Sequence, residues 1–376
     1  MKFRVERDVL AEAVTWTARS LPTRPPVPVL AGVRIQADAS GILYLSSFDY
    51  EVSARSEIAA EVTEPGVVLV SGRLLAEISR ALPAKPVDVV LDGTKVTVTC
   101  GASRFTLLTM PVEDYPALPA MPEITGAIDG HELTQAVAQV TVAASRDDTL
   151  PLLTAVRMEI EGDKITLLAT DRYRLALREL TWNPASPDTS CVALVRARTL
   201  SDAAKSLGGS GRVNVALATG VGVDLIGFEA GGRHTTSLLV DGDYPAVRRL
   251  FPDATPIHAV VSTQALADAA KRVALVAERN TPIRLSFSEG QVVLDAGQGD
   301  DAQASEALEA ALVGESISVA FNPQFLLDGL GALDTSFVRM SFTHPNKPVE
   351  FTGQTSLDGD DLKEYRYLLV PIRFAS

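Results

Sequence analysis

Apolar side chains recur at helical spacing in three stretches that share more than spacing. SGRLLAEISRAL (Ser71 to Leu82), RARTLSDAAKSL (Arg196 to Leu207) and NPQFLLDGLGAL (Asn322 to Leu333) each predict a helix. Their apolar stripes fall at i, i+3 and i+7: Leu75, Ile78 and Leu82; Leu200, Ala203 and Leu207; Leu326, Gly329 and Leu333. The opposite face is basic in the first two. Arg73 and Arg80 lie about 200° round from the stripe at roughly 100° per residue, and Arg198 and Lys205 take the same two positions. In the third copy these are Gln324 and Gly331, so its outer face carries no cation there.

A second set of helices precedes each of these. VERDVLAEAVTWTARS aligns Leu10, Ala13, Val14 and Thr17; GHELTQAVAQVTVAA aligns Leu133, Ala136 and Val137; STQALADAAKRVALVA aligns Leu266, Ala269 and Ala270. An arginine follows each in a polar or proline-containing turn: Arg24 in TRPPVP, Arg146 in SRDDTLP and Arg279 in ERNTPI. Short alternating runs such as ILYLSSFD, KITLLATD and QVVLDAG come next, and further meanders follow each basic helix, reading as antiparallel strands with tight turns at Gly162 and Gly290. EDYPALPAMPE and GDYPAVRRLFPD break helix and sheet alike and read as linkers. The pattern predicts an α+β fold of three repeats, 1–124, 125–254 and 255–376, each with two helices packed on antiparallel sheets. Edge strands of one repeat are expected to pair with the next, and at the two ends with another chain.

Composition changes this picture in one respect. The formal charge of -13 in 376 residues argues for a self-repelling surface and against nucleic acid, unless the basic residues are gathered on one face. The last third is the most acidic, with 9 basic and 16 acidic side chains. Cys100 and Cys191 lie in different thirds and predict neither a disulfide framework nor a thiolate metal site. The opening MKFRVERDVL lacks a signal-peptide core, and no run of 18 uncharged apolar residues occurs, so a cytoplasmic protein without a membrane segment is expected. Nucleotide-binding, zinc-protease and nucleophile-elbow motifs are absent. His131, His234, His258 and His344 are scattered, and the acidic pairs Asp147-Asp148 and Asp300-Asp301 read as solvated turns. The expectation is a binding protein without cofactor, metal or reaction of its own.

KFRVERDVLAEAV, RPPVPVLAGVRI, LATDRYRLAL, DYPAVRRLFP, VAFNPQFLLDGLGAL and YLLVPIRF occur in that order along nearly the whole chain. In this the sequence resembles the bacterial DNA polymerase III beta subunit, the sliding-clamp family. The resemblance implies a ring-shaped, head-to-tail homodimer with helices lining a hole around double-stranded DNA. It implies a processivity factor that slides without sequence specificity, because phosphate contacts carry no sequence information. It assigns DNA contact to Arg24, Arg73, Arg80, Arg146, Arg196, Arg198, Lys205 and Arg279. It implies a pocket between the second and third repeats for a short peptide of the replicative DNA polymerase, the clamp loader and other partners. The matching positions are Leu153, Thr170, Arg174, Leu175, Pro245, Arg249, Leu250, Phe325, Val370, Pro371, Ile372 and Arg373. These give an apolar floor with arginines at the rim. Tyr173 stands where family members often carry His, and Asn346-Lys347-Pro348 replaces a small, Ser-rich loop beside the pocket. Arg104 and Phe105 in the first repeat, facing Leu275, Val276, Asp301 and Glu306 in the last, are the implied dimer contacts.

Overall fold

Each helix is entered directly from a strand. The computed structural model describes residues 1–219, 224–277, 281–297 and 302–373. Among these, Lys2–Val5 leads into α1 (Arg7–Ala18), Gly66–Ser71 into α2 (Gly72–Ala81) and Ile124–Asp129 into α3 (Gly130–Thr141). Ser190–Arg196 leads into α4 (Ala197–Leu207), Ile257–Ser262 into α5 (Thr263–Val273) and Ile317–Phe321 into α6 (Pro323–Ala332). The stripes read from the sequence face inward: Leu75, Ile78, Leu82, Leu200, Ala203, Leu207, Leu326 and Gly329 are buried, while Leu333 at the end of the third stripe is half-buried. Where the chain turns from strand to helix, α6 is fixed by its cap. The Asn322 Oδ1 accepts from Gln324 N at 2.9 Å and Phe325 N at 3.2 Å, and Pro323 fills a first-turn position whose N–H has no helical partner.

The chain divides into two compact units. The first comprises Met1–His131, Asn183–Ser186 and Asp202–Leu239. Its strands form one 14-stranded sheet among the described residues. The first-repeat and second-repeat strands join where Arg233–Leu238 pairs antiparallel with Val52–Ala59, in the register Thr235 opposite Ala54. The hydroxyls of Ser53 and Thr236 meet at 2.6 Å across this join. Beneath it, α1 and α2 pack side by side over Phe3, Leu10, Val14, Val33, Leu43, Leu45 and Val98. Each such large side chain contributes about 1.5–3 kcal/mol on burial.

The second unit comprises Glu132–Trp182, Pro187–Ser201 and Val240–Ser376. A nine-stranded sheet joins second-repeat and third-repeat strands through Arg174–Thr181 and Leu362–Leu369, with Ala176 opposite Tyr367. A four-stranded sheet, Ala304–Glu309, Gln291–Ala296, Ile283–Ser288 and Ile317–Phe321, completes the third repeat. The expected pairing between successive repeats is thus present at both joins. Phe351 is a hub of the core, edge-on to Phe321 at 5.9 Å and to Tyr367 at 5.8 Å. Helix α6 approaches Tyr367 so closely that a Cβ on Gly329 would sit 2.4 Å from the Tyr367 ring carbon Cε1. The glycine in the apolar stripe is therefore what lets the helix seat.

Candidate functional site

The cations on the outer faces of α2 and α4 are exposed and, among the described residues, free of carboxylate partners. Arg73, Arg80, Arg198 and Lys205 project from α2 and α4, and Arg24 and Arg146 from the turns after α1 and α3. Among the described residues none of these six lies within ion-pair distance of a carboxylate, although Glu77 and Asp202 stand four residues after Arg73 and Arg198. Arg73 instead donates from Nη2 to the Pro22 carbonyl at 3.1 Å, which brings it to the turn carrying Arg24. Arg80 donates to Ala76 O in its own helix. Three strand arginines behave differently: Arg4 pairs with Asp88 at 2.9 Å, Arg55 with Glu57 at 3.1 Å and Arg157 with Glu159 at 2.7 Å. An exposed cation without an internal partner is available to an external anion. In the third repeat the cations of α5 are occupied, Lys271 by Asp268 and Arg272 by Glu306. Arg196 is half-buried at the end of its strand and already has a partner. Arg279 lies outside the described residues.

The second cluster centres on one turn. Thr170 to Arg174 reverses the chain with Arg172 in the left-handed region at φ 81. The Asp171 Oδ1 accepts from the backbone N–H of Tyr173 at 3.0 Å and of Arg174 at 3.1 Å, which holds this conformation. The first repeat builds the same device: Asp49 Oδ1 accepts from Glu51 N and Val52 N, with Tyr50 at φ 76. Only the second copy adds a buried cation. Arg174 is 7% exposed, donates from Nε to Asp171 Oδ2 at 2.9 Å and from Nη1 to Asp328 on α6 at 2.6 Å, and lies 4.2 Å over the Phe325 ring. Tyr173, 55% exposed, stacks on the same ring at 6.1 Å. A cleft of about 500 Å³ opens here, walled by Ser145, Arg146, Asp147, Arg172, Tyr173 and Phe325.

Of the twelve expected pocket residues, Arg174 and Phe325 line this cleft and the other ten do not. Leu153, Thr170 and Leu175 are buried, and Leu175 packs with Tyr244, Val247 and Phe251, which bring the second linker onto the sheet. Pro245, Arg249 and Leu250 remain exposed on that linker. The C-terminal segment crosses the turn: Val370 N donates to Tyr173 O at 2.9 Å and Ile372 N to Ala320 O at 2.8 Å, leaving Val370, Ile372 and Arg373 exposed and Pro371 buried. Arg174 differs from the rim role expected of it, because its guanidinium is spent on two carboxylates inside the unit. Arg146, expected at DNA, lines the same cleft as Arg174 and Phe325. The loop at Asn346, Lys347 and Pro348 is not among the residues lining this cleft. Asp171, Arg172 and Asp328 were not picked out from the sequence. Their one signal was that Asp328 stands four residues after Gln324, as Glu77 and Asp202 do after their arginines.

Among the described residues, two strands that carry expected interface residues present open edges. Ser103–Met110 pairs along its length with Lys95–Cys100, but on its other side only Thr109 and Met110 find partners, in Val70 and Leu69. Arg104 and Phe105 lie on the open part, and Phe105 is 38% exposed. Ala304–Glu309 is one of the two outer strands of the four-stranded sheet. Glu306 on it is held by Arg272, with Nη2 to Oε1 at 2.5 Å and Nε to Oε2 at 3.0 Å. That contact lowers the carboxyl pKa from its ordinary value. Leu275 is 84% exposed in the short turn after α5, with Val276 half-buried beside it. Asp301 lies outside the described residues.

Comparison with known proteins follows the same three-part division. Family models of the DNA polymerase III beta subunit match as N-terminal domain over residues 1–119, central domain over 127–246 and C-terminal domain over 248–362. The beta sliding clamp of Streptomyces coelicolor is 57% identical over 376 residues, covering all of both chains. That of Micrococcus luteus is 61% identical over 312 residues, covering 83% of this chain and 100% of its own. Among solved structures, the DNA polymerase sliding clamp of Bacillus subtilis superposes with a TM-score of 0.92 at 25% identity, covering 100% of this chain and 99% of that one.

Proposed function

Because the chain belongs to the DNA polymerase III beta subunit family, the sliding clamps, we propose that it is the non-catalytic processivity factor of a replicative DNA polymerase. Two copies close head to tail into a ring around duplex DNA. The three repeats, taken as 1–124, 125–254 and 255–376, supply six domains per ring. The observation that carries this reading is the recurrence of unpaired cations on the faces of α2 and α4, while Arg4, Arg55 and Arg157 on strands are neutralised by carboxylates. A chain of net charge -13 then presents a positive wall to phosphate and an acidic exterior elsewhere. Nothing in such a wall reads base edges, so the ring slides.

The cleft beside Tyr173, together with the exposed side chains of Pro245, Leu250, Val370 and Ile372, is the docking site for a short peptide of the polymerase, the clamp loader and other partners. Exposed apolar side chains anchor it, and Arg249 and Arg373 supply the charge at its rim. The open edges Arg104–Leu108 and Ala304–Glu309 pair between protomers, with Phe105 and Leu275 as the apolar contacts and Leu108 exposed beside them. No helix among the described residues is long and apolar enough to cross a membrane, and the ring works in the cytoplasm on DNA. The direct test is primer extension by the cognate polymerase and clamp loader on a long single-stranded template. Adding the chain should lengthen the products made in one binding event, and product lengths unchanged by the chain contradict the proposal.

A further inference from the structure

The first and second repeats build one turn twice, and the comparison isolates what the second copy adds. Both turns are held by an aspartate oxygen accepting two backbone N–H groups, Asp49 in one and Asp171 in the other. Both place a non-glycine residue at positive φ. The first copy continues with Glu51 and Val52 where the second has Tyr173 and Arg174. Holding the turn therefore does not require an arginine. What Arg174 does is bridge elements: its Nε takes the second oxygen of Asp171, and its Nη1 takes Asp328 on α6. Asp328 also accepts from Gln324 at 2.7 Å, so the position that is cationic on α2 and α4 here serves the same carboxylate. The guanidinium covers Phe325, whose ring carries Tyr173 and whose carbonyl accepts from the buried Tyr367 hydroxyl at 2.8 Å.

We infer that Arg174 is a positioning residue of the peptide site. It touches no peptide and ties the Tyr173 turn to α6 through Asp328, so that the Tyr173–Phe325 wall stands ready before a ligand arrives. The inference rests on the peptide-docking reading above. A buried guanidinium bonded by two carboxylates has little charge left to offer a ligand, whereas a wall fixed in advance lowers the ordering cost of binding. The same tie explains why α6 lacks the cations of its relatives: its outer face is committed to the turn instead of to phosphate.

The test measures binding of a fluorescein-labelled synthetic peptide, carrying the clamp-binding segment of the cognate polymerase, to the full-length chain and to Arg174→Val, Arg174→Lys, Asp328→Asn and the Arg174→Val/Asp328→Asn double variant. Arg174→Val imports the residue of the first copy, and Asp328→Asn keeps volume and the bond to Gln324. Each single variant should bind about tenfold more weakly, at low and high salt alike, and the double variant should be no weaker than either single one. Arg174→Lys should not rescue, because an ammonium cannot bridge two carboxylates and lie flat on a ring. If Asp328→Asn tightens binding or leaves it unchanged while Arg174→Val weakens it, Arg174 contacts the peptide directly and the inference is overturned. Additive losses, or no loss in any variant, overturn it as well. Failure of the unaltered chain to bind the peptide overturns the docking reading itself and the inference with it.

Discussion

Removing the unpaired helix cations gives the most discriminating perturbation of DNA contact. The variant Arg73→Ala, Arg80→Ala, Arg198→Ala, Lys205→Ala deletes four exposed cations per chain, and thus eight from a ring of two. None of the four has a carboxylate partner among the described residues, and the hydrogen bonds of Arg73 and Arg80 are to backbone carbonyls, Arg73 to Pro22 O and Arg80 to Ala76 O. Each replacement should therefore change stability by no more than about 0.5 kcal/mol, so the Tm stays near that of the unaltered chain. Binding to duplex DNA should change far more. Each phosphate contact contributes about 0.9 to the slope of log K against log salt. If all eight cations engage phosphate at once the slope falls by about 7, and proportionately less if the duplex touches one side of the wall at a time. The assay is fluorescence anisotropy of a labelled duplex between about 50 and 200 mM salt, with Arg4→Ala and Arg55→Ala as controls because both arginines are already ion-paired. A quadruple variant that keeps its fold and its full salt slope refutes the assignment of these faces to DNA.

Three other perturbations have defined outcomes. Gly329→Ala drives a methyl into the Tyr367 ring and should cost about 1–3 kcal/mol in urea unfolding; an unchanged midpoint would falsify the claim that close approach requires the glycine. Leu275→Asp and Leu108→Lys place charges on exposed apolar positions beside the open edges. They should shift the mass measured by light scattering at micromolar concentration from dimer towards monomer, and a dimer indifferent to both rules out these edges as the interface. Burial raises the phenol pKa of Tyr115 and of Tyr244 from 10.0 to about 12. Below pH 10 both are protonated whether folded or unfolded, and above it the unfolded chain ionises first. Stability should consequently fall as pH rises from 10 towards about 12, and Tyr115→Phe with Tyr244→Phe should flatten that fall. An identical slope in the double variant contradicts the assignment.

The helices were legible because their stripes repeat: Leu75, Leu200 and Leu326 announce one face three times, and all three are buried. The strands that feed the helices were not singled out, since runs such as GVVLVS and ISVAF are short and pass into helix within one residue. That successive repeats pair edge to edge followed from the need to cover strand edges, while the choice of Val52–Ala59 and Arg233–Leu238 as partners, and their register, depends on side chains far apart in the chain. At the cleft, Phe325 and Arg174 could be picked out by resemblance, but not the partnership of Arg174 with Asp328, which lies 154 residues away and has no local signature. That distance is also why Arg174 read as a rim cation: an arginine in a polar turn looks solvated until the helix opposite it is known.

The central claim is topological, and the measurement that meets it most directly is retention on DNA. The labelled chain is loaded by the cognate clamp loader onto a nicked circular plasmid, separated from free protein by gel filtration, and the plasmid is then cut once with a restriction enzyme. The account predicts that the chain stays with the circle and leaves over the ends after linearisation. Equal retention on circular and linear DNA would contradict it.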